Sequence, residues 1–416
     1  MATRTRALLL LPEMERAAAQ ACEQLGKTFP GLHSFVPTGR YRRRCQTEHE
    51  LTIVAQCQSS STWPRNQFLA PLNIRLVVCD ANHFGIAVLF TTGSRKHLER
   101  LQELAWSKGL KLMEQGLWRD SREIFCREEQ DVYRALGLPY IEPELREDGD
   151  EVARAMQGRL PGLLNAQQIR GILHNHTVFS DGNNTLEEMA AEAQGRGYEY
   201  FGVADHFAGA AGPSSMTLER VISQVQAIDE LNSHSPSRAF GILKGLEADI
   251  ARDGGLKAPA ALLPRLDYLV CSVHSDYRLS REEQTARLIR AARNPHTTML
   301  AHVTGRLLPE QEAYDVELES VLRACANFGV VVEINANPRR LDLDWRWHQR
   351  AVDMGCLLCI SPDAHSVQDL DYMRWGIAAA RKGELPAASL LNCAGLEQIQ
   401  DFLAKRRARA QKLAGL

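Results

Sequence analysis

No apolar run in this 416-residue chain approaches the roughly 20 residues needed to cross a bilayer. The N-terminal run Ala7–Leu11 is too short for the core of a signal peptide and is followed by acidic residues, so neither a membrane span nor a secretory leader is expected. A cytoplasmic location is therefore the default expectation. There is no internal repeat and no low-complexity tract, which argues against a solenoid or a disordered tail. Charge of one sign is lacking too, the net value being −2. With 44% hydrophobic, 24% charged and 6% aromatic residues, the composition is that of a soluble globular protein with room for two or three domains.

A disulfide framework is also missing. Of the ten cysteines, Cys79, Cys271, Cys325, Cys356 and Cys359 lie inside apolar runs, where cysteine behaves as a small buried hydrophobe. Cys356 and Cys359 have the spacing of a metal knuckle, but they sit in an apolar strand with no second pair. Buried thiols are the expectation for both.

The near-zero net charge hides an asymmetry. Residues 1–110 carry 14 Lys and Arg against 8 Asp and Glu, whereas residues 111–170 carry 9 against 12. A basic first lobe ahead of an acidic, histidine-rich second lobe would suit a polyanion held near a metal centre, and scattered solvated charge explains the same numbers.

Three regions are expected. Residues 1–90 mix a helix over Pro12–Leu25 with strands at Leu51–Ala55 and Ile74–Cys79. Residues 91–160 read as mostly helical, with Lys96–Gly109 and Glu128–Leu136 the clearer helices. The charged run Arg146–Glu151 and the glycines at 158 and 162 mark a boundary. In the third region, residues 165–416, a regular alternation begins. Its strands are Gly171–His174, Tyr200–Ala204, Gly241–Glu247, Tyr268–His274, Thr298–His302, Val330–Asn335 and Leu357–Ser361. Helix-like stretches separate them, one opened by the capping box Thr185-Leu-Glu-Glu188. Seven such strands favour a (β/α)7 barrel over an open sheet.

What the chain does have is a series of metal-ligand side chains where apolar runs stop. They are His174 and His176, Asp181, His206, Glu247, His274, His302, Asp363 and His365. A ligand at the end of strand after strand is how a β/α barrel assembles one site from many segments. Imidazoles mixed with carboxylates suit Zn²⁺, Mn²⁺ or Fe²⁺ and are poor for a Ca²⁺ or Mg²⁺ cage. His174 and His176, at i and i+2, point to one side, and Asp363 with His365 repeats that spacing. Glu247 is the lone glutamate of the series, and a carboxylate can bridge two ions where an imidazole cannot. Two ions about 4 Å apart activate water and neutralise a phosphoryl oxygen, as phosphoester hydrolysis requires. For one histidine a structural role is the better explanation; for nine such residues at strand ends it is not.

The stretches His174-Asn-His-Thr-Val-Phe-Ser-Asp-Gly182, Ala204-Asp-His206, Ser272-Val-His274 and Pro362-Asp-Ala-His365 resemble the polymerase-and-histidinol-phosphatase (PHP) domain. Within that family, Ala301-His-Val-Thr-Gly-Arg306 and Glu333-Ile-Asn-Ala-Asn-Pro-Arg-Arg-Leu-Asp-Leu343 are most similar to the PHP domain of bacterial family X DNA polymerases. The resemblance implies a distorted (β/α)7 TIM-like barrel with a trinuclear site of Mn²⁺, Zn²⁺ or Fe²⁺. It would place one ion on His174, His176, Glu247 and Asp363, a second on Glu247, His274 and His302, and a third on Asp181, His206 and His365. Arg306 would either neutralise a non-bridging phosphate oxygen or be a salt-bridged barrel residue.

The front of the chain resembles the palm and thumb of the same polymerases, an α+β nucleotidyltransferase-like palm and a small thumb. Thr38-Gly-Arg-Tyr-Arg-Arg43 stands where the family has a Gly-Ser-x-Arg-Arg signature, and Phe90-Thr-Thr-Gly-Ser-Arg-Lys-His97 resembles the turn that opens the thumb. The family's Asp-x-Asp pair aligns with Glu50 and Thr52, and its third aspartate with Asn73. Thr52 and Asn73 bring no charge to hold Mg²⁺ against a triphosphate, so a degenerate palm without polymerase activity is expected. The helical domains that precede the palm in the family are not expected here. Arg40, Arg42, Arg43, Arg44, Arg95, Lys96 and Arg100 either grip a nucleic-acid backbone without reading sequence or form an ordinary basic surface.

The expected function is a metal-dependent phosphoesterase, foremost a DNA 3′-to-5′ exonuclease or 3′-end-processing enzyme. Retained template-directed polymerisation, a small-molecule phosphatase of the histidinol-phosphate kind and a non-catalytic DNA-binding scaffold are the alternatives.

Overall fold

Leu51–Cys57 is apolar enough to be buried on both faces, and it becomes an inner strand of the first of two units, Met1–Gly162 and Leu163–Leu416. The structure, a computed structural model, describes residues 8–57, 66–69, 74–207, 214–234, 239–258 and 260–414.

The first unit begins with β1 (Leu9–Leu10), α1 (Leu11–Thr28), β2 (Leu32–Pro37), α2 (Gly39–Arg42), β3 (Thr47–Glu48) and β4 (Leu51–Cys57). It continues with β5 (Asn66–Leu69), β6 (Ile74–Cys79), α3 (Phe84–Thr92) and α4 (Arg95–Ser107). A meander of β7 (Leu110–Met113), β8 (Gly116–Arg119) and β9 (Arg122–Ile124) precedes α5 (Glu129–Ala135) and α6 (Asp150–Met156). The main sheet has the order β2-β4-β6-β5, with β4 and β6 parallel and both outer pairings antiparallel. Helix α1 buries Leu11, Met14, Ala18, Ala21 and Leu25, a stripe at the 3.6-residue period. At Gly85 in α3 an added Cβ would lie 2.2 Å from the Glu128 carbonyl oxygen, so only glycine lets α3 approach the start of α5.

The antiparallel meander departs from the helical expectation for residues 91–160. Leu110 and Leu112 point inward with Lys111 exposed between them, a period of two that lasts only four residues. Lys, Leu and Met are good helix formers, and their composition conceals so short an alternation.

The second unit runs β10 (Gly171–Asn175), α7 (Leu186–Gly195), β11 (Tyr200–Val203), β12 (His206–Phe207), α8 (Leu218–His234), β13 (Gly241–Leu243), β14 (Gly245–Ile250) and β15 (Leu256–Lys257). Next come β16 (Tyr268–Ser272), α9 (Arg281–Arg293), β17 (Met299–Leu300), α10 (Leu318–Phe328) and β18 (Val331–Asn335). The chain closes with α11 (His348–Asp353), β19 (Leu358–Ser361), α12 (Met373–Lys382) and α13 (Leu396–Ala414). This is the α/β alternation the apolar runs imply. The expected strand Gly241–Glu247 divides at Lys244 into β13 and β14, and Thr298–His302 shortens to β17.

Parallel pairing links β10-β11-β13 in one sheet and β12-β14-β16-β17-β18-β19 in another, with β15 antiparallel on β14. Between β10 and β19 the described residues show a single bridge, Asn175 to Ala364, supported by the His176 N–H donating to the Ala364 carbonyl at 2.8 Å. Alternate strand residues feed two cores. Ile172, Phe201, Leu269, Leu300 and Val332 pack with Met189, Val221, Leu288 and Val321 of the surrounding helices. Leu173, Tyr200, Tyr268, Met299, Val331 and Cys359 pack on the opposite side with Ile399 and Leu403 of α13. Burial on both faces is why these strands read as unbroken apolar runs.

Candidate metal centre

Parallel strands place their C-terminal ends on one side, and all the ligand-type residues but Glu247, which lies within its strand, are at or past such an end. His174 is in the last turn of the ladder of β10 and His176 just past it; Asp181 is on the loop before α7. His206 opens β12, Glu247 is in β14, and His274 and His302 follow β16 and β17 by two residues each. Asp363 and His365 follow β19. Three of them hold left-handed backbone: His174 (φ 60°), His302 (φ 30°) and Asp363 (φ 52°). Such a conformation costs about 1–3 kcal/mol for a residue with a Cβ, and it persists where the surroundings over-determine it.

Glu247 is at the centre of the cluster. Its Oε2 lies 2.9 Å from His206 Nδ1, 3.3 Å from His174 Nε2 and 3.6 Å from His176 Nε2. Its Oε1 lies 3.2 Å from His302 Nε2 and 3.4 Å from His274 Nε2. Asp363 Oδ1 faces His176 Nε2 at 3.2 Å and His174 Nε2 at 3.6 Å. Asp181 meets His365 at 3.5 Å and both His176 and His206 at 3.7 Å. Four overlapping groups have converging ligand atoms: His176, Asp181, His206 and His365; His174, His176 and Asp363; His174, Glu247 and His302; and His206, Glu247 and His274. All nine residues expected from the strand ends are among them. The grouping is more shared than expected, because His206 faces Glu247 and His274 as well as Asp181 and His365.

Around this cluster stands a set of residues that sequence reasoning did not single out. Glu333 accepts from the His302 N–H at 2.8 Å and from Asn335 Nδ2 at 3.0 Å, and lies 2.5 Å from His174 Nδ1. Asn335 also donates to Asp363 Oδ2 at 3.0 Å. Asp205, next to His206, accepts from the Thr177 N–H at 2.8 Å and the Thr177 hydroxyl at 2.7 Å, bracing the loop that carries Asp181. Asp249 accepts from the His274 N–H at 3.2 Å and pairs with Lys257 at 2.8 Å. Arg340 Nε approaches Asp363 Oδ2 at 3.4 Å. The signal for Glu333 and Asp249 was a carboxylate inside an apolar strand, where an ion is costly without partners.

Titration follows the crowding. Burial opposes a charge on His174, yet Glu333, Glu247 and Asp363 outweigh it and hold its pKa well above the ordinary 6.5. Burial, with the His365 and His206 charges, pushes His176 down to about 3. Burial and the Arg340 charge do the same to His302, also about 3. Burial opposes the His365 cation as well, but Asp181 and Asp363 raise it to about 9. Glu247 and Asp363 stay ionised despite burial because histidines face them.

A metal cluster fits these donors. His174 Nε2, His176 Nδ1, His206 Nδ1 and Glu247 Oε2 are buried atoms with no hydrogen-bond partner among the described residues. Buried polar atoms that converge without sharing protons are what a shared cation satisfies.

The remaining expectations fare differently. Arg306 is the salt-bridged alternative: it is buried, pairs with Asp344 at 2.8 Å, and donates to the carbonyls of Arg340 (2.7 Å) and Leu341. All three of its nitrogens are engaged within the fold, which corrects its catalytic assignment. Arg42 and Arg43 are corrected likewise. Arg42 makes a two-pronged contact with Glu129 (3.0 and 2.8 Å), and buried Arg43 pairs with Glu147 at 2.9 Å and the Thr92 carbonyl at 2.7 Å. Arg40, Arg95 and Lys96 are exposed, with Arg95 paired to Glu99 at 2.7 Å and Arg40 3.6 Å from Glu48. Glu50 immediately precedes β4 and Thr52 lies in it, while Asn73 lies outside the described residues. Cys356 and Cys359 are buried free thiols.

Two family models match the chain: the DNA polymerase beta thumb over residues 87–147 and the PHP domain over residues 173–337. The DNA polymerase/3'-5' exonuclease PolX of Bacillus subtilis is 34% identical over 314 residues, 75% of this chain and 54% of that protein. A probable phosphatase of Acetivibrio thermocellus is 32% identical over 170 residues, 39% of this chain and 63% of that protein. A probable phosphatase of Caldanaerobacter subterraneus is 24% identical over 253 residues, 57% of this chain and 91% of that protein. The chain thus spans about half the length of the PolX relative.

Proposed function

We propose that this chain, a PHP-domain protein with a DNA polymerase beta thumb and a likeness to the C-terminal region of PolX, is a metal-dependent phosphoesterase that trims DNA 3′ ends. The observation that carries the reading is Glu247, a buried carboxylate within 3.6 Å of five imidazoles. His174, His176, Glu247 and Asp363 would hold one divalent ion; Glu247, His274 and His302 a second; Asp181, His206 and His365 a third. Bound there, Mn²⁺ or Zn²⁺, with Fe²⁺ also suited to the donors, would supply a water nucleophile at neutral pH and charge neutralisation at phosphorus.

We read residues 165–416 as a distorted (β/α)7 barrel completed at the Asn175–Ala364 bridge, residues 91–160 as thumb-like and residues 1–90 as palm-like. With Thr52 and Asn73 in place of carboxylates, the palm would not polymerise. Arg40, Arg95 and Lys96 remain as sequence-independent contacts to a DNA backbone. The name of the PolX relative supports DNA as the substrate. No helix among the described residues is long and apolar enough to cross a membrane.

A second reading, a phosphatase acting on small monoesters, draws on the probable phosphatases that match 39% and 57% of this chain. One experiment separates them. Purified full chain with Mn²⁺ is given 3′-labelled single-stranded DNA and, separately, a phosphate monoester. Shortening of the DNA, abolished in a His174→Ala/His176→Ala double variant, is expected. Monoester hydrolysis alone would favour the second reading, and digestion unchanged by the double variant would overturn both.

A further inference from the structure

Among the described residues, the cluster brings together three carboxylates, six imidazoles and one guanidinium, whose donors are not spent. Arg340 lies in the turn after β18, where its N–H donates to the Asn337 carbonyl at 2.8 Å and its own carbonyl accepts from Arg306 Nε at 2.7 Å. The backbone is therefore clamped from both sides, and the side chain projects to the cluster, Nε lying 3.4 Å from Asp363 Oδ2. The other oxygen of Asp363 faces His176 and His174. The side chain of Arg340 is 19% exposed, yet its Nη1 and Nη2 atoms bond nothing among the described residues. Neighbouring arginines differ: Arg339 is paired with Glu310 at 3.1 Å, and Arg306 and Arg346 with Asp344 at 2.8 and 3.1 Å.

A guanidinium offers two parallel donors in one plane, a match to two oxygens of a phosphate. Neither terminal nitrogen of Arg340 is among the buried unpartnered atoms, so both reach solvent and stay open to an arriving anion. We infer that Arg340 is the protein's own phosphate-binding residue, taking the non-bridging oxygens of a phosphodiester beside the metal ions. The inference rests on the phosphoesterase reading and replaces the role sequence reasoning gave Arg306. Arg340 would touch substrate directly, and its contact with Asp363 through Nε would set the angle of the fork.

The test uses the Mn²⁺-loaded full chain and its Arg340→Gln and Arg340→Lys variants. Inorganic phosphate binding is measured by calorimetry, metal content by elemental analysis, and KM and kcat on 3′-labelled DNA. Loss of a charge-assisted contact should weaken phosphate binding and raise KM by about ten- to a hundredfold in Arg340→Gln, with metal content unchanged. Arg340→Lys should recover part of the loss, since it restores charge without the fork. Wild-type phosphate affinity in Arg340→Gln, or loss of bound Mn²⁺ in that variant, would overturn the inference, the second because Arg340 would then act only through Asp363. If the unmodified protein hydrolyses no phosphoester, the functional reading fails by itself; weaker phosphate binding in Arg340→Gln would still sustain the inference, and equal binding would still overturn it.

Discussion

Glu333 Oε1 lies 2.5 Å from Nδ1 of His174, which leaves Nε2 of that ring turned toward Glu247 and Asp363. A carboxylate behind a ligand histidine fixes the tautomer and raises the basicity of the other nitrogen. The same carboxylate accepts the His302 N–H, and through Asn335 it reaches Asp363. One buried acid thus orients three of the nine residues. In Glu333→Gln an amide NH2 would face at least one of these donors, and metal affinity should fall by about 10–100-fold. Titration of metal-free protein with Mn²⁺ reads this directly, and an unchanged affinity would show the contact to be incidental.

Metal uptake should release protons. In the metal-free protein the His174 pKa stands well above 6.5 and that of His365 is about 9, so both rings are protonated near neutrality. A cation must displace those protons, because only the neutral ring is a ligand. Affinity should therefore rise with pH through the His365 value of about 9, with His174, raised in the same direction, adding to the slope. Calorimetry in buffers of different ionisation enthalpy counts the protons; a count of zero at neutral pH contradicts the assignment.

Arg306 should matter to stability rather than to substrate. Its guanidinium is buried against Asp344 and two carbonyls, so Arg306→Gln leaves buried acceptors short of a donor while Arg346 still faces Asp344, and should cost about 1–3 kcal/mol. Denaturant unfolding measures the loss. A variant of normal stability with a raised KM would return Arg306 to the catalytic role.

The first unit should be acid-sensitive through Glu129. Burial raises this carboxyl, but Arg146 and Arg42 outweigh it and lower the pKa from 4.5 to about 2. Because the folded value is depressed, the stabilisation is complete above pH 4.5 and drains away as pH falls toward about 2. The shift corresponds to about 3 kcal/mol. Melting temperature followed over that range should decline in the natural chain and much less in Glu129→Gln, which begins from a lower value. Parallel acid curves would dismiss Glu129 as the source.

The sequence alone carried the chemistry of the centre. Imidazoles and carboxylates at the ends of two-sided apolar strands are a local pattern, because a parallel strand buried on both faces is otherwise mostly apolar. The parallel strands and the nine residues that converge followed from that pattern. Tertiary structure decided which charges were free to act. Arg42 finds Glu129, 87 positions away, and Arg306 finds Asp344, 38 positions away. No periodicity announces such pairings, so those arginines looked available while Arg340, whose terminal nitrogens lack partners among the described residues, drew no notice beside Arg339. Glu333 was equally mute inside Val-Val-Glu-Ile-Asn until β18 set it behind His174. Residue type and strand period are properties of a few neighbours, whereas the partner of a charge is a property of the folded chain, and it alone settles whether that charge is spent.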